Sequence, residues 1–319
     1  MVTLEKIEAA AWRIAEVARR TPFERSRWLS TDERAVFLKL ECFQTTGAFK
    51  IRGAMAKMTA LTEEEQARGI LTVSAGNHGL AVAHAAEILG LQATILVPES
   101  ASPAKIEGIG RYPVTLIKRG ANYDEAERAA RELERESGLA FVSPYNDEEV
   151  IAGQGTIGLE MLASEPDLQA IVVPVGGGGL IAGILVAAKS VNPGIKVYGV
   201  EPSASPTMTR ALEAGRIVEI EDDETIADGL SGNIEPGSIT FPIIRDLIDG
   251  MILVDESEIE SAMETAARND HIIIEGAAAC SLAALTDERL DNVKVGAVIS
   301  GRNITLELFL SSLSQIPDV

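Results

Sequence analysis

Ile70-Leu71-Thr72-Val73-Ser74-Ala75-Gly76-Asn77-His78-Gly79 carries a whole fold unit in ten residues. Four strand-forming residues come first, a small polar loop follows, and an alanine-rich helix is predicted onward to about Leu89. The alternation repeats downstream. Ala93–Val97 is a strand ended by Pro98, and Val114–Lys118 is a third, followed by a strongly charged helix from about Tyr123 to Glu136. Three such units in a row predict a small parallel sheet. Upstream, Thr62-Glu63-Glu64-Glu65 reads as a capping box with Thr62 at the N-cap. Ala35–Leu40 alternates with period two, and Leu4, Ile7, Ile14 and Val17 mark an amphipathic helix in residues 1–20.

The chain turns again near Phe141-Val142-Ser143-Pro144, and a helix is predicted from about Glu148 to Leu162. Strands at Ala170–Val173, Lys196–Val200, Met251–Val254 and Lys294–Ile299, with helices between them, form a second, larger α/β sheet. The expected fold class is α/β with two parallel-sheet lobes. Residues 1–67 and 143–319 form the large lobe and 68–142 the small one, with no C-terminal regulatory domain. No Gly/Ser linker separates the lobes. They should pack closely, with a site in the cleft between them.

The 319 residues suit two lobes. A balance of 28 Lys plus Arg against 48 Asp plus Glu gives −20, which argues against nucleic acid or an anionic membrane as main partner. An anionic ligand would need backbone N–H groups or a helix N-terminus. Cys42 and Cys280 are too few and too far apart for a disulfide scaffold or a zinc site, and point to buried thiols in a reducing, cytoplasmic compartment. His78, His84 and His271 have no metal-ligand spacing. No secretory signal is visible, and the long uncharged run Ile171–Ala188 holds Pro174 and four glycines, which fits a strand–loop–helix better than a membrane span.

Chemistry concentrates in four segments. In Gln44-Thr45-Thr46-Gly47-Ala48-Phe49-Lys50-Ile51-Arg52-Gly53-Ala54, Thr46 can cap a helix and Gly47 can make the turn into it. Lys50 then sits in a first helical turn among apolar neighbours. Helix dipole and desolvation both lower its pKa, giving a nucleophilic amine suited to a Schiff base. The same lysine also reads as a surface residue whose stem covers apolar side chains. Gly176-Gly177-Gly178-Gly179, followed by Leu180, links a strand to a helix and offers a phosphate cradle, though such a run also makes a tight structural turn. Ser74, Ala75, Gly76, Asn77 and His78 form a loop whose N–H groups can hold a carboxylate. Asn77 can donate to a ring oxygen, or Ser74 can simply cap a helix. Ser300 closes the last strand and can donate to an aromatic nitrogen, or cap a helix from near Ile304. Together these groups answer the aldehyde, phosphate, ring hydroxyl and ring nitrogen of pyridoxal 5′-phosphate.

Five segments in order resemble the fold type II pyridoxal-phosphate enzymes, the tryptophan synthase β-like group, and within it the serine/threonine dehydratases. They are Thr46–Ala54, Ser74–Gly79, Pro174–Leu180, Ala227-Asp228-Gly229-Leu230 and Ser300-Gly301-Arg302-Asn303. The resemblance implies that Lys50 carries the cofactor and Phe49 flanks its ring. It also implies that Asn77 meets the ring hydroxyl, Gly176–Gly179 bind phosphate, Ser300 meets the pyridine nitrogen, and the Ser74–His78 loop grips the substrate carboxylate. The implied reaction is β-elimination: the Lys50 amine takes the Cα proton of a β-hydroxy amino acid, water leaves, and a 2-oxo acid and ammonia result. Cysteine and threonine synthases usually read Lys-Asp-Arg where this chain has Lys50-Ile51-Arg52. Serine racemases typically carry a second serine where this chain has Ala75, which cannot transfer a proton. Arg302 stands where glycine is usual, keeping a 3-hydroxyaspartate dehydratase open beside a serine racemase and a non-catalytic binding protein. Some relatives bind a divalent cation; Glu201 matches that pattern but Thr207 does not, so no metal is expected. The expected partner is an amino-acid substrate, and a homodimer or homotetramer is expected.

Overall fold

The computed structural model describes residues 1–313; the last six residues of the expected large lobe lie outside them. The chain opens with α1 (Leu4–Ile14), β1 (Phe23–Arg25) and β2 (Ala35–Lys39). Then come α2 (Lys50–Ala60), α3 (Glu63–Arg68), β3 (Ile70–Val73), α4 (Asn77–Leu89), β4 (Ala93–Val97), α5 (Pro103–Gly110), β5 (Thr115–Lys118), α6 (Tyr123–Ser137) and β6 (Ala140–Phe141). The remainder is α7 (Glu148–Ser164), β7 (Ala170–Pro174), α8 (Gly179–Val191), β8 (Lys196–Pro202), α9 (Thr207–Ala214), α10 (Thr240–Leu247), β9 (Gly250–Val254), α11 (Glu256–Asn269), α12 (Gly276–Ala283), β10 (Lys294–Val298) and α13 (Leu306–Leu313).

Two sheets result. One runs β1-β2-β10-β7-β8-β9, parallel except where β1 pairs antiparallel to β2. The other runs β5-β4-β3-β6, parallel throughout. Successive residues of β7 feed opposite faces of the larger sheet. Ile171 and Val173 pack with α1, α2, α7 and α8, while Ala170 and Val172 pack with α11 and α12. The first of these clusters does not stop at the larger sheet. It takes in Ile70, Ala81, Val82, Ala85 and Ala93 alongside Ile51, Met55 and Met58, so α2 and α4 share one core.

Three local expectations change. β2 does not alternate in burial: Val36, Phe37, Leu38 and Lys39 are all buried, because β1 and β10 flank it and packing covers both faces. Lys39 survives there because its ammonium donates to Thr21 O at 2.8 Å and pairs with Glu160. Thr46 does not cap α2. The N-cap is Phe49, without a side-chain bond, since Ala48 bridges Gly301 and the Phe49 N–H donates to Ser300 O at 3.0 Å. The last helix starts at Leu306 rather than near Ile304. Thr62 does form its capping box with Glu65, and Gly47 does turn, at φ +76°. Among the described residues, no helix is long and apolar enough to cross a membrane.

Candidate active site

Each chemistry-bearing segment follows the carboxyl end of a parallel strand: β2 for Lys50, β3 for Ser74–Asn77, β7 for the glycine run and β10 for Ser300. Ligands of open α/β sheets bind at these ends. Lys50 opens α2, and its Nζ donates to Pro144 O at 3.0 Å and lies 5.1 Å from the Phe49 ring centroid. Burial pushes the amine down to about 8, partly offset by the Glu275 carboxylate. A half-exposed lysine with one carbonyl partner and a depressed pKa is chemically an amine nucleophile.

Pro144 leads directly to Tyr145, which the glycine run meets. A Cβ on Gly177 would stand 2.5 Å from the Tyr145 ring, and one on Gly179 2.9 Å from its backbone. Gly178 has φ +85° and is the N-cap of α8, where no side chain caps the helix. Thr240 Oγ1 donates to Gly177 O at 2.8 Å, and the Tyr145 hydroxyl accepts from Glu235 N at 2.9 Å. The loop is therefore held from outside, while the start of α8 stays uncapped for an anion. Leu180 is buried in the helix beyond it.

On the other wall, Ser74 does not cap α4; its Oγ accepts from Gly76 N at 3.1 Å, and Gly76 is the N-cap. A Cβ on Gly76 would meet nothing within 4 Å, so this loop faces open space beside the first turn of α4. Ala75 offers only a methyl group. The His78 ring is buried against Val142 O at 3.0 Å, and burial, with Lys50 nearby, pushes it down to about 3. It is a neutral structural ring, so only its backbone N–H can serve a ligand. Asn77 Nδ2 donates to Glu275 at 2.8 Å. Ser300 is buried beside Phe49, and Arg302 is exposed with its guanidinium 5.4 Å from the Phe43 ring.

Glu201, the residue weighed as a cation ligand, accepts instead from Met208 N at 2.6 Å, Thr209 N at 2.9 Å and Thr209 Oγ1 at 2.6 Å, capping α9. Two cavities, of about 830 and 420 Å³, lie elsewhere; Arg25 and Arg34 are among their walls, and Lys50 is in neither. Pro144, Tyr145, Glu235 and Glu275 escaped sequence reasoning. They belong to no motif, and only the fold brings them to the lysine and the glycine run.

These features fit a phosphorylated aldehyde: a depressed amine, an uncapped helix start behind a glycine loop too tight for any Cβ, and an amide donor. Comparison with known proteins agrees. The family model described as pyridoxal-phosphate dependent enzyme matches residues 14–301. The chain belongs to this family. It is 43% identical over 311 residues to an L-threonine ammonia-lyase of Thermotoga maritima, covering 97% of this chain and 77% of that one. The solved structure of maize serine racemase is similar with TM-score 0.92 at 35% identity, covering 98% of this chain and 97% of that one. The processed form of threonine deaminase isoform 2 from Solanum lycopersicum is similar with TM-score 0.92 at 34% identity, covering 98% and 86%. The chain is a pyridoxal-phosphate enzyme of fold type II, with two mostly parallel sheets.

Proposed function

We propose that the protein is an ammonia-lyase acting on L-threonine and L-serine, releasing a 2-oxo acid and ammonia, with the site in the cleft between residues 1–67 plus 143–319 and residues 68–142. The observation that carries this is Lys50: one amine, desolvated to a pKa of about 8, next to a glycine phosphate cradle. When bound, pyridoxal phosphate supplies an electron sink for the substrate's Cα. The residues do the rest. Gly176–Gly179 and the first turn of α8 hold the phosphate. Phe49 and Ser300 bound the ring, and the Ser74–His78 loop holds the substrate carboxylate through its N–H groups. With its pKa held at about 8, Lys50 is about half unprotonated at pH 8 and, as a free amine, would take the substrate's Cα proton.

Two features favour small, neutral β-hydroxy substrates. Arg302 lies over Phe43, and Asn303, its neighbour on the chain, reaches Asn77 instead. That argues against 3-hydroxyaspartate. Ala75 lacks the hydroxyl that a racemase needs to return a proton to the opposite face, and a missing placed acid costs roughly two to four orders of magnitude. The relatives named threonine ammonia-lyase and threonine deaminase point the same way. The test is 2-oxo acid release across β-hydroxy amino acids, with chiral chromatography of serine reactions. Elimination should far exceed D-serine formation, and Ala75→Ser should raise racemisation relative to elimination. D-serine forming as fast as pyruvate, or a preference for 3-hydroxyaspartate that Arg302→Gly removes, would overturn it.

A further inference from the structure

Glu275 is the N-cap of α12, where a carboxylate ordinarily accepts from its own helix's first-turn amides. Here it makes no capping bond. Oε1 accepts from Asn77 Nδ2 at 2.8 Å, and Oε2 accepts from the Asn303 backbone N–H at 3.0 Å. Asn303 Nδ2 donates to Asn77 Oδ1 at 2.6 Å and to Thr46 O at 2.9 Å. The Asn77, Glu275 and Asn303 side chains, with the Asn303 backbone N–H as the last link, close a ring across the cleft: Asn77 starts α4, beside the smaller sheet, while Glu275 and Asn303 lie beside the larger one.

That ring fixes which way the Asn77 amide points. Burial raises the Glu275 pKa to about 7; above that it is a carboxylate that only accepts, so the nitrogen must face Glu275 and the oxygen must face the Asn303 donor. With its oxygen and one N–H engaged, the carboxamide has a single N–H left. We propose that Glu275 is a positioning residue which, with Asn303, locks Asn77 so that one donor and no acceptor faces the cofactor ring's oxygen, favouring that oxygen's ionised form. The lock rests on the proposed function and on Asn77 meeting the cofactor's ring oxygen, as the family resemblance implies. Its geometry also gives each oxygen of the half-buried carboxylate near Lys50 a hydrogen-bond partner. Removing its acceptor character leaves two donors, Asn77 Nδ2 and Asn303 N, competing for one amide oxygen.

The test uses the full chain stripped of cofactor and titrated with pyridoxal 5′-phosphate, reading affinity and the visible absorption band of the lysine-linked cofactor. Glu275→Gln should bind about tenfold more weakly, the effect of one hydrogen bond. It should also move the band toward that of the un-ionised ring. Asn303→Ala, at an exposed side chain, should shift both readouts the same way, which keeps the test informative should Glu275→Gln fold poorly. Glu275→Asp, still an acceptor only, should restore part of the band. A purely structural Glu275 would change the thermal midpoint and leave the band in place. Asn77→Ala shifting the band while Glu275→Gln and Asn303→Ala keep it would overturn the lock alone. An unchanged band in Asn77→Ala would overturn the lock and the placement of Asn77 together.

Discussion

Lys50 and Arg52 are separated only by Ile51, yet their surroundings are opposite. Lys50 has one neutral carbonyl partner, and burial pushes it down to about 8. Arg52 has every donor engaged. Nε meets Glu41 at 2.8 Å, one terminal nitrogen meets Thr156 at 3.0 Å and Glu160 at 2.7 Å, and the other meets Arg19 O, Glu41 and Glu160. With Lys39 and Thr21 this forms a buried, balanced network at the root of α2. Two predictions belong here. Attachment of pyridoxal phosphate to the apoprotein requires the unprotonated amine, so its rate should climb with pH and level off above about 8; levelling only near the ordinary lysine value would show that burial is not acting on Lys50. Arg52→Ala leaves the buried Glu41 and the partly buried Glu160 with Lys39 as their remaining cation and should destabilise by about 3–5 kcal/mol in urea unfolding. Arg52→Lys should recover little, because an ammonium cannot bridge both carboxylates in plane.

At the scale of elements, β7, the glycine run and α8 act as one device. The strand delivers the chain between two neighbours, Gly178 turns it at φ +85°, and α8 begins without a cap. Tyr145 closes the loop's outer side and is itself held through its hydroxyl by Glu235 N. Gly177→Ala would drive a methyl to 2.5 Å from that ring. The expected result is a destabilisation of about 1–3 kcal/mol from overpacking and a cofactor affinity lowered at least tenfold, measured by titration of the apoprotein. Gly177→Ala with unaltered cofactor affinity would remove the glycine run from the phosphate site.

Across the whole molecule, acidity governs how stability responds to pH. Burial raises Glu201 to about 7, against the bonds it accepts from Thr209 and Met208. A carboxyl with a raised folded pKa holds its proton more tightly when folded. Its contribution to stability therefore falls as pH climbs from about 4.5 to about 7. His78 works in the reverse sense: held down at about 3, it makes stability rise between about 3 and 6.5. Comparing wild type with Glu201→Gln isolates the first. The variant should gain on wild type as pH rises from 5 to 8, approaching ~3 kcal/mol. A difference in urea midpoint that stays flat over that range would contradict the raised carboxyl.

The strand–helix alternation and the order of the motifs were legible because they depend on short-range periodicity and on residues that only certain turns accept, such as Gly47 and the glycine run. Thr62 and Glu65 formed their capping box for the same reason: three residues of local chain decide it. What the residues by themselves left open was burial and partnership. Ala35–Leu40 looked half-exposed, but packing on both faces of the sheet covers it and buries Lys39. Thr46 looked like a cap, but the Gly301 segment, some 250 residues away, takes over the chain before α2 and leaves Phe49 at that position. Arg302 left a 3-hydroxyaspartate dehydratase open, but its guanidinium lies over Phe43 while Asn303 reaches Asn77. Glu275 carried no local signal at all. Its role exists only because the packing of two separate sheets brings the ends of β3 and β10 within hydrogen-bonding reach of one side chain, which no local pattern of residues encodes.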